Sequence, residues 1–254
     1  MSAQTREKSR QMRAARAADE ARRKRQRRTV TIIALVGILG LVAAIAIAVA
    51  ASITSEEEVT ATGKVVVPAN VEAGAFTVGV VDAPVTLDLY YDYLCPACGA
   101  FESINAGDLS RLIGQGTLRV NLHVMAFLDD QSQGTAYSSR AGNAYAEVVN
   151  GAPDQVWAFH TALYAEQPQE GTEGLSDQEI EDLAVRAGVP AEVAAEFTRG
   201  RYRDWVARST QDAFDAGITS TPTVTIDGDA FTGDWSTPGE LATAIETVAA
   251  SGDG

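Results

Sequence analysis

Two cysteines occur in this 254-residue chain, spaced as Cys95-Pro96-Ala97-Cys98 at the end of an apolar run from Val85 to Leu94. A bridge between them would close a loop too small to restrain an unfolded chain, because that kind of stabilisation grows with loop length. The pair is therefore read as chemistry. A strand that delivers C-x-x-C to the start of a helix lowers a thiol pKa, and the thiolate is the form that exchanges disulfides. The rival is a structural zinc half-site. His123 and His160 are the other soft ligands, and C-x2-C-x24-H-x36-H fits no common zinc spacing. No metal site is expected, and sulfur exchange calls for no cofactor.

The elements around the pair must hold it. Val85 to Tyr91, entered from Asp82-Ala83-Pro84, reads as a strand whose near-continuous apolarity predicts burial on both faces. A helix follows to about Ile113, with Phe101, Ile104, Leu109 and Leu112 apolar and Gly114-Gln115-Gly116 as its stop. Thr117 to Phe127 alternates, with Leu118, Val120, Leu122, Val124 and Ala126 on one face. Strand, helix, strand in this order implies a right-handed crossover and a parallel pair.

From about 133 to 216 the period becomes helical and predicts four or five helices, with Trp157, Phe159, Leu163, Leu183, Phe197 and Trp205 packed inward. Thr223 to Ile226 is a strand, Asp227-Gly228 a hairpin turn and Ala230-Phe231 a return strand. Thr237 to Ala250 is a closing helix, with Thr237 as its cap, Pro238 first and Glu240 at capping-box spacing. The result is an α/β domain. The 95 residues between its two main strand regions far exceed a simple crossover of about 25, so a helical insertion is expected at about 128–216.

Charge places the domain. The first 28 residues hold eleven Lys/Arg against Glu7, Asp19 and Glu20; with −14 overall, residues 29–254 carry −22. Thr29 to Ile53 is 25 residues without a charge, and as a helix would span about 37 Å against a hydrocarbon core of about 30 Å. Arg22, Arg23, Lys24, Arg25, Arg27 and Arg28 precede it and Glu56, Glu57 and Glu58 follow it. Basic flanks stay cytoplasmic, so the C-terminal part should face outward.

A cleaved secretory signal, with Ala48-Val49-Ala50 as its site, and a buried core helix are the competing readings. Either export route puts the cysteines in an oxidising compartment. The expected order is a basic cytoplasmic tail (1–28), a transmembrane signal anchor in the bilayer (29–53), an acidic linker (54–63) and an exported domain (64–254). The basic tail is a topology determinant and not a nucleic-acid site. The acidic surface is a solubility device.

Three further stretches join the cysteines. D-Y-L-C-P-A-C at 92–98, V-W-A-F-H-T-A-L-Y-A-E-Q at 156–167, G-I-T-S-T-P-T at 217–223 and I-D-G-D-A-F-T-G at 226–233 together resemble the DsbA-like thiol:disulfide oxidoreductases of the thioredoxin superfamily, over about residues 64–250. The resemblance implies a thioredoxin-like fold with a helical insertion subdomain. It makes Cys95 the exposed nucleophile and Cys98 the shielded resolving thiol, with Pro96 at the start of the helix. Pro222 is similar to the superfamily's cis-proline. Thr221, before it, would then offer its backbone N–H and C=O to an extended substrate segment.

The departures are specific. Ala97 stands where some strongly oxidising relatives carry His. Leu89 stands where relatives often place a buried acid, and Asp88 beside it faces the other way by strand alternation. Asp92 matches the family's acid three before the first cysteine, in a local hydrogen-bonding role. The proton acceptor for Cys98 is left unassigned, with His160 read as a packed helix residue and His123 as a strand residue.

The resemblance implies an extracytoplasmic oxidase that introduces disulfides into exported proteins with free cysteines. A membrane quinone-linked partner, of the DsbB or vitamin-K-epoxide-reductase type, would reoxidise it. A reductase of apocytochrome or other exported thiols, and a non-catalytic peptide-binding module, are the alternatives.

Overall fold

The computed structural model describes residues 65–252. The basic tail, the signal anchor and the acidic linker lie outside the described residues. Among the described residues no helix is long and apolar enough to cross a membrane.

Six strands form one sheet: β1 (Val71–Glu72), β2 (Ala75–Val78), β3 (Val85–Tyr91), β4 (Leu118–Val124), β5 (Thr223–Ile226) and β6 (Asp229–Ala230), in the order β1-β2-β4-β3-β5-β6. β3 and β4 are parallel, Leu87 opposite Val120, and helix α1 (Pro96–Gly114) makes the crossover between them. β5 runs antiparallel beside β3, with Leu89 opposite Val224. This places β3 at the centre, where the non-local pairing on both edges fixes the residues that lead into Cys95.

One face of β3 is fully buried through Val85, Leu87, Leu89 and Tyr91. The other is only half-buried, against the expectation of burial on both faces. Polar groups occupy it: Asp88 accepts from Asn121 Nδ2 at 3.0 Å and Thr225 Oγ1 at 3.1 Å and lies 3.0 Å from His123 Nε2. Tyr90 stacks on His123 with ring centroids 4.1 Å apart. Leu89 and Asp88 thus point to opposite faces.

Between β4 and β5 lie five helices, α2 (Tyr137–Gly151), α3 (Val156–Ala165), α4 (Asp177–Arg186), α5 (Ala191–Ala194) and α6 (Arg203–Asp215). Phe159, Leu163, Leu183, Phe197 and Trp205 are buried there, while Trp157 is only partly covered. α4 carries a full capping box, with Ser176 and Glu179 satisfying one another's backbone N–H groups.

The closing helix α7 (Glu240–Gly252) starts two residues after Pro238, the first helical residue that the sequence predicts. Gly239 has φ +81°, outside the helical region. Asp234 diverts both capping-box side chains: Thr237 Oγ1 donates to Asp234 Oδ2 at 3.0 Å and Glu240 Oε1 accepts from Asp234 N at 2.7 Å, while Asp234 Oδ1 also accepts from Ser236 N. The return strand is Asp229–Ala230 in place of Ala230–Phe231, because Asp227 and Gly228, at φ +50° and +88°, complete the turn one residue earlier. The β1–β2 hairpin on the β4 edge has no counterpart in the sequence reading.

Candidate active site

The chain leaves β3 at Tyr91, turns through Asp92-Tyr93-Leu94, and enters α1 with Cys95 as the N-cap and Pro96 at the first helical position. Proline suits that position, since its missing N–H has no partner there anyway. Cys95 N donates to Asp92 O at 3.1 Å, and Gly99 N donates to Cys95 O at 3.1 Å, so the cysteine carbonyl opens the helical ladder. Ala97 and Cys98 follow in the first turn. Both cysteines are unbridged.

Across from this turn, the Thr221–Pro222 peptide is cis. It brings the Thr221 carbonyl to 3.4 Å from Cys95 Sγ, which donates to it. The Thr221 hydroxyl is buried without a partner among the described residues, so it is free to donate to a thiolate at Cys95. Cys95 is more enclosed than the exposed nucleophile the sequence suggests, with 7% of the residue accessible against 1% for Cys98. The Thr221 backbone covers its sulfur.

The two thiols are driven in opposite directions. Cys95 falls from 9.0 to about 6, chiefly through the hydrogen bond from the Cys98 thiol. Burial opposes that shift; the Thr221 hydroxyl and the backbone N–H groups of Cys98 and Ala97 reinforce it. Cys98 is pushed far above its ordinary value, first by burial and then by the hydrogen bond and charge of Cys95. At neutral pH the site therefore holds a thiolate at Cys95 and a thiol at Cys98.

Asp92 is fully buried, and its role is wider than local bonding. Oδ1 accepts from Leu94 N at 2.7 Å and from Ser138 Oγ at 2.6 Å, and Oδ2 accepts from Leu128 N at 2.8 Å. One carboxylate thus ties the active-site turn to the segment after β4 and to α2. Burial lifts its pKa from 3.8 to about 6, against the three hydrogen bonds that lower it.

The insertion supplies positioning groups that the sequence did not disclose. Gln167, just past α3, donates through Nε2 to Tyr93 O at 3.1 Å and Cys95 O at 2.9 Å. A β-carbon at Gly99 would collide with the same amide, so a larger residue there would push Gln167 out of these two bonds. Tyr164 donates to Asp92 O at 3.0 Å. Gln167 ends the 156–167 stretch, which marks the segment without marking the contact. His160 is packed and fully buried, 3.0 Å from Glu102 Oε1 and 3.2 Å from the Tyr93 hydroxyl. His123 belongs to the Asp88 cluster on the sheet's other face. Among the described residues no cluster of His, Cys, Asp or Glu could hold a metal.

The fold has solved relatives. The chain is 29% identical to the oxidised DsbA of Mycobacterium tuberculosis, covering 69% of this chain and 92% of that one with a TM-score of 0.60. It is 27% identical to the thiol-disulfide oxidoreductase MdbA of Actinomyces oris, covering 71% and 89% with a TM-score of 0.62. Over 110 residues it is 36% identical to the serine/threonine-protein kinase PknE of Mycobacterium tuberculosis; the match takes in 42% of this chain and spans 19% of that protein. The thioredoxin family model matches residues 72–247, from β1 through most of α7, and by that match the chain belongs to the thioredoxin family.

Proposed function

We propose that this chain is an extracytoplasmic thiol:disulfide oxidoreductase that introduces disulfides into exported proteins through Cys95 and Cys98. One observation carries the reading: the two sulfurs sit one helical turn apart with pKa values driven in opposite directions, Cys95 to about 6 and Cys98 far upward. A thiol of low pKa leaves easily, so a mixed disulfide at Cys95 favours passing the bond on.

In the oxidised enzyme a substrate thiolate attacks Cys95 Sγ. The Cys95–Cys98 bond breaks and Cys98 leaves, taking a proton. A second substrate thiolate then attacks the substrate sulfur of the mixed disulfide, and Cys95 departs as the thiolate. The substrate has lost two electrons and the enzyme has gained them. An extended substrate segment would pair with the backbone of Thr221 beside the mixed disulfide. A membrane quinone-linked partner removes the electrons, and residues 29–53 hold the enzyme in the membrane beside that partner.

The reduction potential of the full chain in glutathione buffers tests this directly. A value near about −180 mV or higher is expected of an oxidase, and one near about −250 mV or lower overturns the oxidase direction in favour of a reductase. Failure to equilibrate with glutathione at all removes exchange chemistry altogether.

A further inference from the structure

Resolving a mixed disulfide requires Cys98 to lose a proton, and Leu89 provides no acid on the strand beside it. The buried stripe of α1 does. Its buried residues are Cys98, Phe101, Glu102, Asn105, Leu109 and Leu112, so Glu102 lies on the same face as Cys98 at i, i+4, where β-carbons are about 6 Å apart. Glu102 is 5% exposed. Its Oε1 lies 3.0 Å from His160 Nε2, and the other imidazole nitrogen lies 3.2 Å from the Tyr93 hydroxyl. Trp157 stacks over the imidazole with centroids 5.4 Å apart. The second carboxyl oxygen, Oε2, is buried with no hydrogen-bond partner among the described residues. Such an oxygen is destabilising, and native proteins retain few of them without a use. Tyr164 lies within reach of both groups, since charges on Cys98 and on Glu102 each add to the burial that raises its hydroxyl.

Resting on the exchange reading above, we propose that Glu102 Oε2 accepts the proton of Cys98, and that His160 is the positioning residue that holds the carboxylate for it. Cys98–SH gives its proton to Glu102–COO⁻. The Cys98 thiolate attacks Cys95 Sγ, the Cys95–Cys98 bond forms, and the bond from Cys95 to the bound thiol breaks to release that thiol as its anion. In the oxidase direction the same proton returns to Cys98 as the disulfide opens. The titratable groups packed around the pair are Asp92, Tyr91, Tyr93 and Cys95 before and at the start of α1, Tyr145 from α2, and His160 and Tyr164 from α3. Asp92 is the rival acceptor, but both its oxygens are already occupied by Leu94, Leu128 and Ser138.

Ellman's reagent separates the two steps in one trace on the reduced full chain. Cys95 attacks the reagent and releases one aryl thiolate; Cys98 then resolves the mixed disulfide and releases the second. Glu102→Gln should slow the second release about 10²-fold at neutral pH, leave the first within about twofold, and lose its defect as pH rises and hydroxide takes over. Glu102→Leu, which also removes the unpartnered oxygen, should show the same slow second step. His160→Asn should give a smaller defect in that step. Equal slowing of both releases, or no slowing, overturns the proposal. So does a selective second-step defect in Asp92→Asn with Glu102→Gln unaffected. A wild-type chain that releases a first but no second thiolate, or none, overturns the exchange reading itself.

Discussion

The sheet half of the domain and its helical insertion contribute differently to one site. β3, α1 and the segment before β5 carry Cys95, Cys98 and the Thr221–Pro222 peptide. The insertion carries no cysteine, yet Ser138, Tyr164 and Gln167 all bond to the turn between Asp92 and Cys95. The thiols sit at the start of α1, and the bonds that hold their turn in place come from residues 46 to 74 positions away. Substitutions in the two halves should therefore fail in different ways.

The largest effect belongs to the sheet half. Cys95→Ser should reduce exchange with a reduced substrate protein to background, and Cys98→Ser should accumulate a mixed disulfide at Cys95, visible as a covalent adduct by mass spectrometry.

At the junction, Asp92→Ala strands donors from three segments, Leu94 N, Leu128 N and Ser138 Oγ. The expected loss is about 4 kcal/mol, from leaving buried donors unpaired, measured by denaturant unfolding of the reduced protein. Ser138→Ala, which removes only the bond from the insertion, should lose about 2 kcal/mol. Equal losses would mean that the insertion side dominates the anchor.

The pH dependence of stability sharpens the contrast between these groups. Burial raises Asp92 from 3.8 to about 6, so its contribution is complete below about pH 4 and is lost as pH rises through about 6. Cys95 is lowered from 9.0 to about 6, so its contribution is complete above about pH 9 and is lost as pH falls through about 6. The disulfide form lacks the Cys95 contribution. The stability of the reduced protein relative to the oxidised one should rise between pH 5 and pH 9, by calorimetry of both forms; a difference that falls with pH would reverse the assignment.

Within the insertion, Gln167→Ala removes two hydrogen bonds to the active-site turn and should destabilise by about 2 kcal/mol while slowing exchange. Ser176→Ala breaks the capping box of α4 and should destabilise by about 1 kcal/mol with exchange unchanged. If both variants slow exchange alike, the insertion acts through its stability and not through Gln167.

The sheet half was the more legible. Hydrophobic alternation in β4, the apolar run of β3 and the C-x-x-C at its end are local signals, and they located the parallel pair and the thiols. The β1–β2 hairpin left no such trace, because strands of two and four residues are too short for a period to show. Thr237-Pro238-Gly239-Glu240 matched a capping pattern that Gly239 and Asp234 overrode through their own geometry. The contacts of Gln167, Tyr164, Ser138 and Glu102 were illegible for a different reason. They join residues 46 to 74 positions apart, and only packing of the insertion against α1 creates them.

The most direct test of the account is a pH titration of the reduced full chain by ultraviolet thiolate absorbance, with Cys95→Ser as the control. One thiolate should appear with its midpoint near pH 6, absent from the control, while Cys98 stays protonated across the neutral range. A midpoint near about 8.5, the value of a free cysteine, would contradict it: Cys98 and Thr221 would then do nothing for Cys95, and the site would have no reason to exchange.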